Sequence, residues 1–98
     1  MSFVAISRVR YPPLLKQQLH AIALDMMPIA KAQPGFISIS FHQSHEINET
    51  MMYWEWQEKS HHEACLQSKE WNEIMEKSGV LLHSEGVELF IETYERIA

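Results

Sequence analysis

The order of the hydrophobic patterns along this chain restricts it to few folds. Four segments have the composition or alternation of β-strands, namely residues 2–9, 36–43, 50–57 and 86–95. Helical patterns fill the long gaps after the first strand and after the third strand. The order strand, helix, strand, strand, helix, strand is that of a ferredoxin-like α+β fold, βαββαβ. We therefore expect a four-stranded antiparallel sheet with the crossover helices on one face.

The first helical pattern is amphipathic. Its apolar residues recur at steps of three and four and are Leu15, Leu19, Ile22, Met26 and Ile29. Pro28 lies inside this pattern, where it removes one helical hydrogen bond and clashes with the preceding turn. We expect a kink or break near Met27, followed by a turn at Pro34-Gly35.

The second helical region carries several end signals. Ser60 and Glu63 have the spacing of a capping box, which predicts a helix that begins at Ser60. Ser68 is a candidate cap for a second short helix, and Gly79 is typical of a helix end.

Hydrophobic residues occur on both faces of the expected strands, and they make up 46% of the sequence. The fourth strand, for example, places Phe90 and Tyr94 opposite Leu89 and Ile91. Helices on one face of the sheet cannot shelter both sets, and large exposed apolar patches are rare on soluble monomers. We therefore predict a homodimer whose two sheets pack face to face. The alternative is a monomer with mixed surface aromatics.

Length and charge narrow the possible functions. The chain has 98 residues, which predicts a single domain over residues 1–98. Its formal net charge of −5, without a Lys/Arg cluster, argues against nucleic-acid binding. Cys65 is the only cysteine, so no internal disulfide forms. We see no secretory signal and no apolar stretch of about 20 residues that would span a membrane. We expect a cytoplasmic protein without membrane contact.

One run of residues resembles a known family. Pro34-Gly35-Phe36 leads into the second strand, Trp54-Glu55-Trp56 ends the third, and a helical run from Ser60 to Trp71 follows. This pattern resembles the antibiotic biosynthesis monooxygenase family, whose signature is an aromatic strand ending in Glu-x-Trp, a helix, then a Ser and an aromatic residue. The resemblance covers nearly the whole chain. It implies a dimeric α+β barrel that oxygenates small aromatic or quinol-type substrates without metal or flavin.

The sequence departs from relatives of that family at three positions. Cys65 occupies a helix position where many members have His. Haem-degrading relatives use an Asn where this chain has Ser7, and a haem-ligating His where it has Met75. The missing ligand makes haem degradation the less favoured activity among those that the resemblance implies.

The candidate catalytic residues are His62 and Ser7. An imidazole titrates near neutral pH, so His62 is our choice of general base, with His61 as the alternative. Ser7 lies among apolar strand neighbours, where its hydroxyl either points into a ligand cavity or bonds local backbone. His61, His62 and Cys65 supply too few ligands for a zinc site, and we expect no metal.

Four further side chains are expected to bind the substrate, namely Cys65, Trp71, Trp56 and Tyr53. Aromatic rings of this kind either stack on a substrate or pack in the core and dimer interface. A lone Cys is more often a small hydrophobe than a reactive thiol. Strand alternation alone does not determine which sheet face holds Trp54 and Trp56.

These observations lead to one functional hypothesis and two alternatives. We predict a cofactor-independent monooxygenase that oxidises a small aromatic or quinol-type substrate with molecular oxygen. The first alternative is a homodimer that binds a small ligand without turnover. The second, less favoured, is a haem-handling protein.

Overall fold

A computed structural model describes all 98 residues of the chain. In chain order the strands and helices are β1 (Phe3–Arg10), a 3₁₀ turn (Pro13–Leu15), α1 (Lys16–Lys31), β2 (Phe36–Gln43), β3 (Glu49–Trp56), α2 (Lys59–Leu66), α3 (Lys69–Leu82) and β4 (Glu88–Glu95). The strands form one antiparallel sheet in the order β2-β3-β1-β4. The expected ferredoxin-like α+β fold is confirmed. No helix combines the length and hydropathy that a bilayer span requires.

The helices cover the sheet unevenly. α1 packs on β2 and α3, and α2 packs on β3 and α3. No helix makes more than a marginal contact with β4. The helical layer is therefore displaced toward the β2 edge, and the helix side of β4 is left largely uncovered.

The first helix is not broken by its proline. α1 continues through Pro28 to Lys31, so of the kink or break predicted near Met27 the break is wrong. Pro28 is exposed and lies in the last turn. Because it has no N–H, it cannot hydrogen-bond the Leu24 carbonyl, and Leu24 is exposed as well. Solvent can satisfy that carbonyl, and a late proline disturbs only the end of the helix.

The predicted ends of the later helices are partly wrong. α2 begins at Lys59 after Glu58, without a side-chain cap, so Ser60 lies in the first turn and forms no capping box. α3 runs through Gly79 to Leu82. The cap at Ser68 is confirmed, because its hydroxyl accepts the Trp71 backbone N–H at 3.3 Å. Local end signals are overruled where packing of neighbouring turns decides the boundary.

The strand register assigns each residue to one face of the sheet. On the inner face, which the helices partly cover, Ala5 pairs with Trp54 and Ser7 pairs with Met52. Trp56 follows Trp54 on the same face by strand alternation. The outer face carries these residues among others: Val4, Ile6, Tyr53, Phe90 and Tyr94.

The outer face is more polar than its apolar strand residues indicate. The Arg8 and Arg10 guanidinium groups lie 5.0 and 5.3 Å from the centre of the Phe90 ring. Both also form ion pairs with the Glu49 carboxylate, at N···O distances of 3.7 and 2.7 Å. Nearby, the buried Glu55 accepts hydrogen bonds from Arg96 and Ser2. Charge and aromatic surface are thus interleaved on this face.

Gly35 occupies a turn that no other residue fits without strain. Its φ is +79°, in the left-handed region that favours glycine. A Cβ added there would overlap the ring of His61, which packs directly over the turn. The Gly35 carbonyl also accepts the Gln57 backbone N–H at 2.8 Å. This contact joins the α1–β2 turn to the β3–α2 connection.

We predict that Gly35→Ala lowers the free energy of unfolding by about 2 kcal/mol or more, because it adds both backbone strain and overlap with the His61 ring. The control is Gly79→Ala on α3, where an added Cβ meets no atom within 4 Å. That change should stabilise by about 0.5–1 kcal/mol, because alanine favours helix. Urea unfolding measures the stability of both variants. Equal unfolding midpoints would contradict the strain and overlap assigned to a side chain at position 35.

Candidate functional site

The uneven helical layer leaves a cavity against the inner face of the sheet. Its volume is about 200 Å³, and 15 of its 18 lining residues are hydrophobic. The three polar lining residues are Ser7, Thr50 and His62. An apolar pocket with a few polar groups is the usual form of a small-molecule site.

The cavity exists because β1 presents small side chains beneath the helices. Ala5 and Ser7 lie on the inner face of this central strand, beside the much larger Trp54 and Met52 of β3. Side chains of α1 and α3, among them Met26 and Trp71, form the opposite wall. The small residues therefore leave a space that the bulky β3 side chains border but do not fill.

His62 reaches this cavity from α2 and is held in an aromatic surround. Its ring centre lies 5.3 Å from that of Phe3, 5.4 Å from Trp54 and 6.0 Å from Trp56. Burial lowers the pKa of His62 below its ordinary value, an effect that the charge of Glu63 partly offsets. The imidazole is therefore neutral at pH 7 and able to accept a proton.

The His62 ring nitrogens are also free of partners inside the chain. The histidines that hydrogen-bond other groups are His20, His42 and His83. The polar side-chain atoms that are both sealed and unpaired belong to Trp54, Trp56 and His61. His62 is in neither group, so its nitrogens form no hydrogen bond within the chain and are not sealed, and the residue lines the cavity.

The hydroxyls of Ser7 and Thr50 lie on two neighbouring strands of the inner face. Ser7 pairs with Met52 and Val9 pairs with Thr50, so the two polar residues are diagonal neighbours on β1 and β3. Successive inner-face rows are about 7 Å apart along a strand. The row of Ser7 is one step from the row of Trp54, which touches His62, and the row of Thr50 is two steps away. Polar groups thus follow the length of the cavity.

Trp54 and Trp71 form the aromatic wall of the cavity. Their ring centres are 5.1 Å apart, with the ring planes tilted by 52°. Both are buried and both line the cavity. This packing attaches α3 to β3 and presents a flat aromatic surface to a ligand.

The structure gathers only some of the candidate residues at the cavity. Ser7, His62 and Trp71 line it. Cys65 and Trp56 are fully buried in the core behind the wall. Burial raises the pKa of the Cys65 thiol to about 11, so the thiol stays protonated. Tyr53 lies on the outer face, away from the cavity.

The alternative base, His61, also lies outside the cavity wall. Its Nδ1 is buried without a partner, next to the Gly35 turn. No three His, Cys, Asp or Glu side chains converge as metal ligands. The polar groups at the cavity are therefore one imidazole, that of His62, and two hydroxyls, and the remaining lining is apolar.

Sequence reasoning missed Thr50 and the apolar lining from β4, and it left the sheet face of Trp54 open. Strand alternation carried the signal for Thr50, because residues 50, 52 and 54 share one face. Leu89 and Ile91 could not be recognised, since their role depends on where the helical layer ends.

A polar network closes the end of the sheet near Thr50. The Gln43 side-chain oxygen accepts the Tyr11 hydroxyl at 2.5 Å and contacts His20 Nε2 at 2.8 Å. The Gln43 amide donates to the carbonyls of Ser44 and Glu49, each at 3.2 Å. These bonds fix the β2–β3 hairpin to the start of α1 and explain these polar residues structurally.

Solved structures with the same fold come from several organisms. Rv0793 from Mycobacterium tuberculosis is 15% identical, with a TM-score of 0.85 over 100% of this chain and 97% of that one. PA3566 from Pseudomonas aeruginosa is 14% identical, with a TM-score of 0.81 over 99% and 95%. A point mutant of SnoaB, a cofactor-independent oxygenase from Streptomyces nogalater, is 8% identical, with a TM-score of 0.83 over 99% and 94%.

Sequence comparison gives a family. A search among curated proteins found no match. The family model described as "Antibiotic biosynthesis monooxygenase" matches residues 2–77, which is more than three quarters of the chain. This chain therefore belongs to the antibiotic biosynthesis monooxygenase family.

Proposed function

We propose that the protein is a monooxygenase that oxidises a small hydroxylated aromatic substrate with molecular oxygen and without a cofactor. The observation that carries the proposal is His62, a neutral and unpaired imidazole that lines an apolar cavity. The family supports monooxygenation in general terms. The shared fold with a cofactor-independent oxygenase supports the absence of a cofactor.

The first step is removal of a proton from the substrate hydroxyl by His62. The product is a phenolate-type anion beside an imidazolium. An isolated charge is disfavoured in an apolar cavity, but each of these charges is stabilised by the other. Hydrogen bonds from Ser7 or Thr50 orient the substrate while its charge develops.

The second step uses the substrate as the source of electrons. The anion is electron-rich and reacts with oxygen at an activated ring carbon. Where that carbon is a CH₂ group, it loses two hydrogens and gains one oxygen atom as a carbonyl. The second oxygen atom leaves as water, so the balance is CH₂ + O₂ → C=O + H₂O. The apolar cavity keeps bulk water away from the reacting anion.

We predict oxygen uptake by purified, metal-free protein with at least one member of a panel of one-ring and two-ring quinols and naphthols. An oxygen electrode measures the rate, and product mass should increase by the atoms of the balance above. Binding of these compounds without uptake above background across the panel would favour a ligand-binding role without turnover.

We predict that His62→Gln lowers kcat/KM by roughly 10²-fold or more, the usual contribution of a general base. Ser7→Ala should lower it by about fivefold, the effect of one lost hydrogen bond. The matched control is His45→Gln, because His45 is exposed in the β2–β3 loop. Equal activity of the His62 variant and the control would rule out His62 as the base.

We predict that kcat/KM of the wild type rises with pH and levels off near neutrality. The base is active when unprotonated, and burial holds the pKa of His62 below 6.5. The acid limb should therefore have its midpoint below 6.5 and should disappear in His62→Gln. Rates measured between about pH 5 and pH 8 test this, and a midpoint above 6.5 would contradict the burial argument.

We also propose that two protomers pair through the outer face of the sheet. Phe90 and Tyr94 are partly exposed there, next to the buried Val4 and the half-buried Ile6. Several hundred Å² of apolar contact would contribute several kcal/mol at about 25 cal/mol per Å². The interleaved Arg8 and Glu92 pair, at 3.3 Å, would set the register of the contact.

We predict that light scattering at micromolar concentration gives twice the chain mass of 11.5 kDa. Phe90→Asp should shift the mass toward one chain, since it places a charge in the contact. The protomer should stay folded, because the new carboxylate lies beside Arg8 and Arg10. Leu24→Asp on the exposed side of α1 is the control. A wild-type mass near 11.5 kDa would defeat the proposal.

A further inference from the structure

We infer that the ligand of this cavity is a hydroxyarene of one or two rings that carries an apolar side chain, and that the side chain leaves the cavity over Leu89 and Ile91 of β4. This inference rests on the proposed function for the position of the hydroxyl at His62. It goes beyond that function by defining the size of the ring system and a second contact region for a tail.

The cavity volume limits the ring system. A volume of about 200 Å³ is only modestly larger than the roughly 150 Å³ cavity that holds a benzene molecule in a well-studied engineered protein. Pockets for larger, drug-sized ligands span about 300–1,000 Å³. One ring with substituents, or two fused rings, therefore fits between Trp54, Trp71 and the small residues of β1.

The cavity has an open apolar mouth on one side. Leu89 and Ile91 line the cavity, yet they remain 51% and 62% exposed. They are exposed because no helix covers β4. Exposed aliphatic side chains continuous with a pocket are a feature that requires an explanation, since burying them on a ligand would be favourable.

The register places this mouth at the end of a continuous path from His62. Ser7 on β1 pairs with Ile91 on β4, and Val9 pairs with Leu89. In the inferred pose the ring lies against Trp54 with its hydroxyl at His62 and its opposite end toward Ser7, one row further along β1. A substituent at that end passes Ser7 and then meets Ile91. An apolar tail is the occupant that matches this sequence of contacts.

The test uses 4-alkylphenols, from 4-ethylphenol to 4-heptylphenol, because their tail lies opposite the hydroxyl. Quenching of tryptophan fluorescence reports binding, since Trp54 and Trp71 line the cavity. The dissociation constant should fall about two- to fourfold per methylene, as expected for partly to fully buried CH₂ groups. It should level off after about five carbons, because the tail then passes the edge of β4, one strand spacing of about 4.8 Å beyond β1.

The matched variants separate the mouth from the rest of the surface. Combined Leu89→Thr and Ile91→Thr should reduce the advantage of heptylphenol over ethylphenol at least fivefold. Ile37→Thr is the control, because Ile37 is 44% exposed on the opposite edge strand. For the ring limit, 9-phenanthrol should bind at least tenfold more weakly than 1-naphthol.

Specific outcomes would overturn the inference. They are affinity independent of chain length, equal loss in the Ile37 control, or equal binding of 9-phenanthrol and 1-naphthol. Light scattering of the Leu89/Ile91 variant gives a further contradicting outcome. A change in its mass would show that these residues contact a second copy of the chain rather than a ligand tail. The titration involves no oxygen. If affinity depends on chain length but no compound of the oxygen-uptake panel is turned over, only the monooxygenase proposal is contradicted. If turnover occurs but affinity does not depend on chain length, only the inference about the apolar tail is contradicted.

Discussion

The packing of Trp71 on Trp54 is the contact on which the candidate site depends. The two ring centres are 5.1 Å apart, and this contact fixes α3 over β3, while α1 packs against β2. The two bulky indoles hold the helix layer away from the small side chains of β1. The cavity lies between this packed pair and the small residues of β1, and β4, which no helix covers substantially, forms its open side. A sheet with larger residues at Ala5 and Ser7 would have closed the same space.

The burial that creates the site also sets its chemistry. His62 is surrounded by Phe3, Trp54 and Trp56, which offer it no hydrogen-bond acceptor. Its neutral form is therefore favoured, and a charged form is acceptable only with an anion beside it. The same surroundings keep the Cys65 thiol protonated and hence inert as a nucleophile. One apolar environment thus leaves His62 as the titratable group able to act at the cavity.

Strand alternation made the sheet predictable, while the site required information that alternation does not contain. The bounds of β2 agree with the sequence pattern, and those of β1, β3 and β4 differ by one or two residues. Alternation also places Trp54 and Trp56 on one face, but only the three-dimensional fold shows that the helices lie there. Tyr53 and Cys65 show the same limit, since each looks suitable as a chemical type and each lies outside the cavity. The capping signals at Ser60 and Gly79 were wrong because helix ends follow packing as well as local hydrogen bonds.

The two faces of the sheet differ in the size and charge of their residues, and this difference is the reason for assigning them different proposed roles. The outer face alternates aromatic rings with ion pairs such as Arg10–Glu49 at 2.7 Å, which suits a contact that must be specific as well as adhesive. The inner face carries its polar atoms at Ser7 and Thr50, with His62 reaching it from α2, inside a wall that is otherwise apolar. Pairing through the outer face would leave the inner cavity and its mouth at Leu89 and Ile91 available in each protomer. In the proposals made above, assembly and ligand binding would use opposite faces of the same four strands, so that a change to one need not disturb the other.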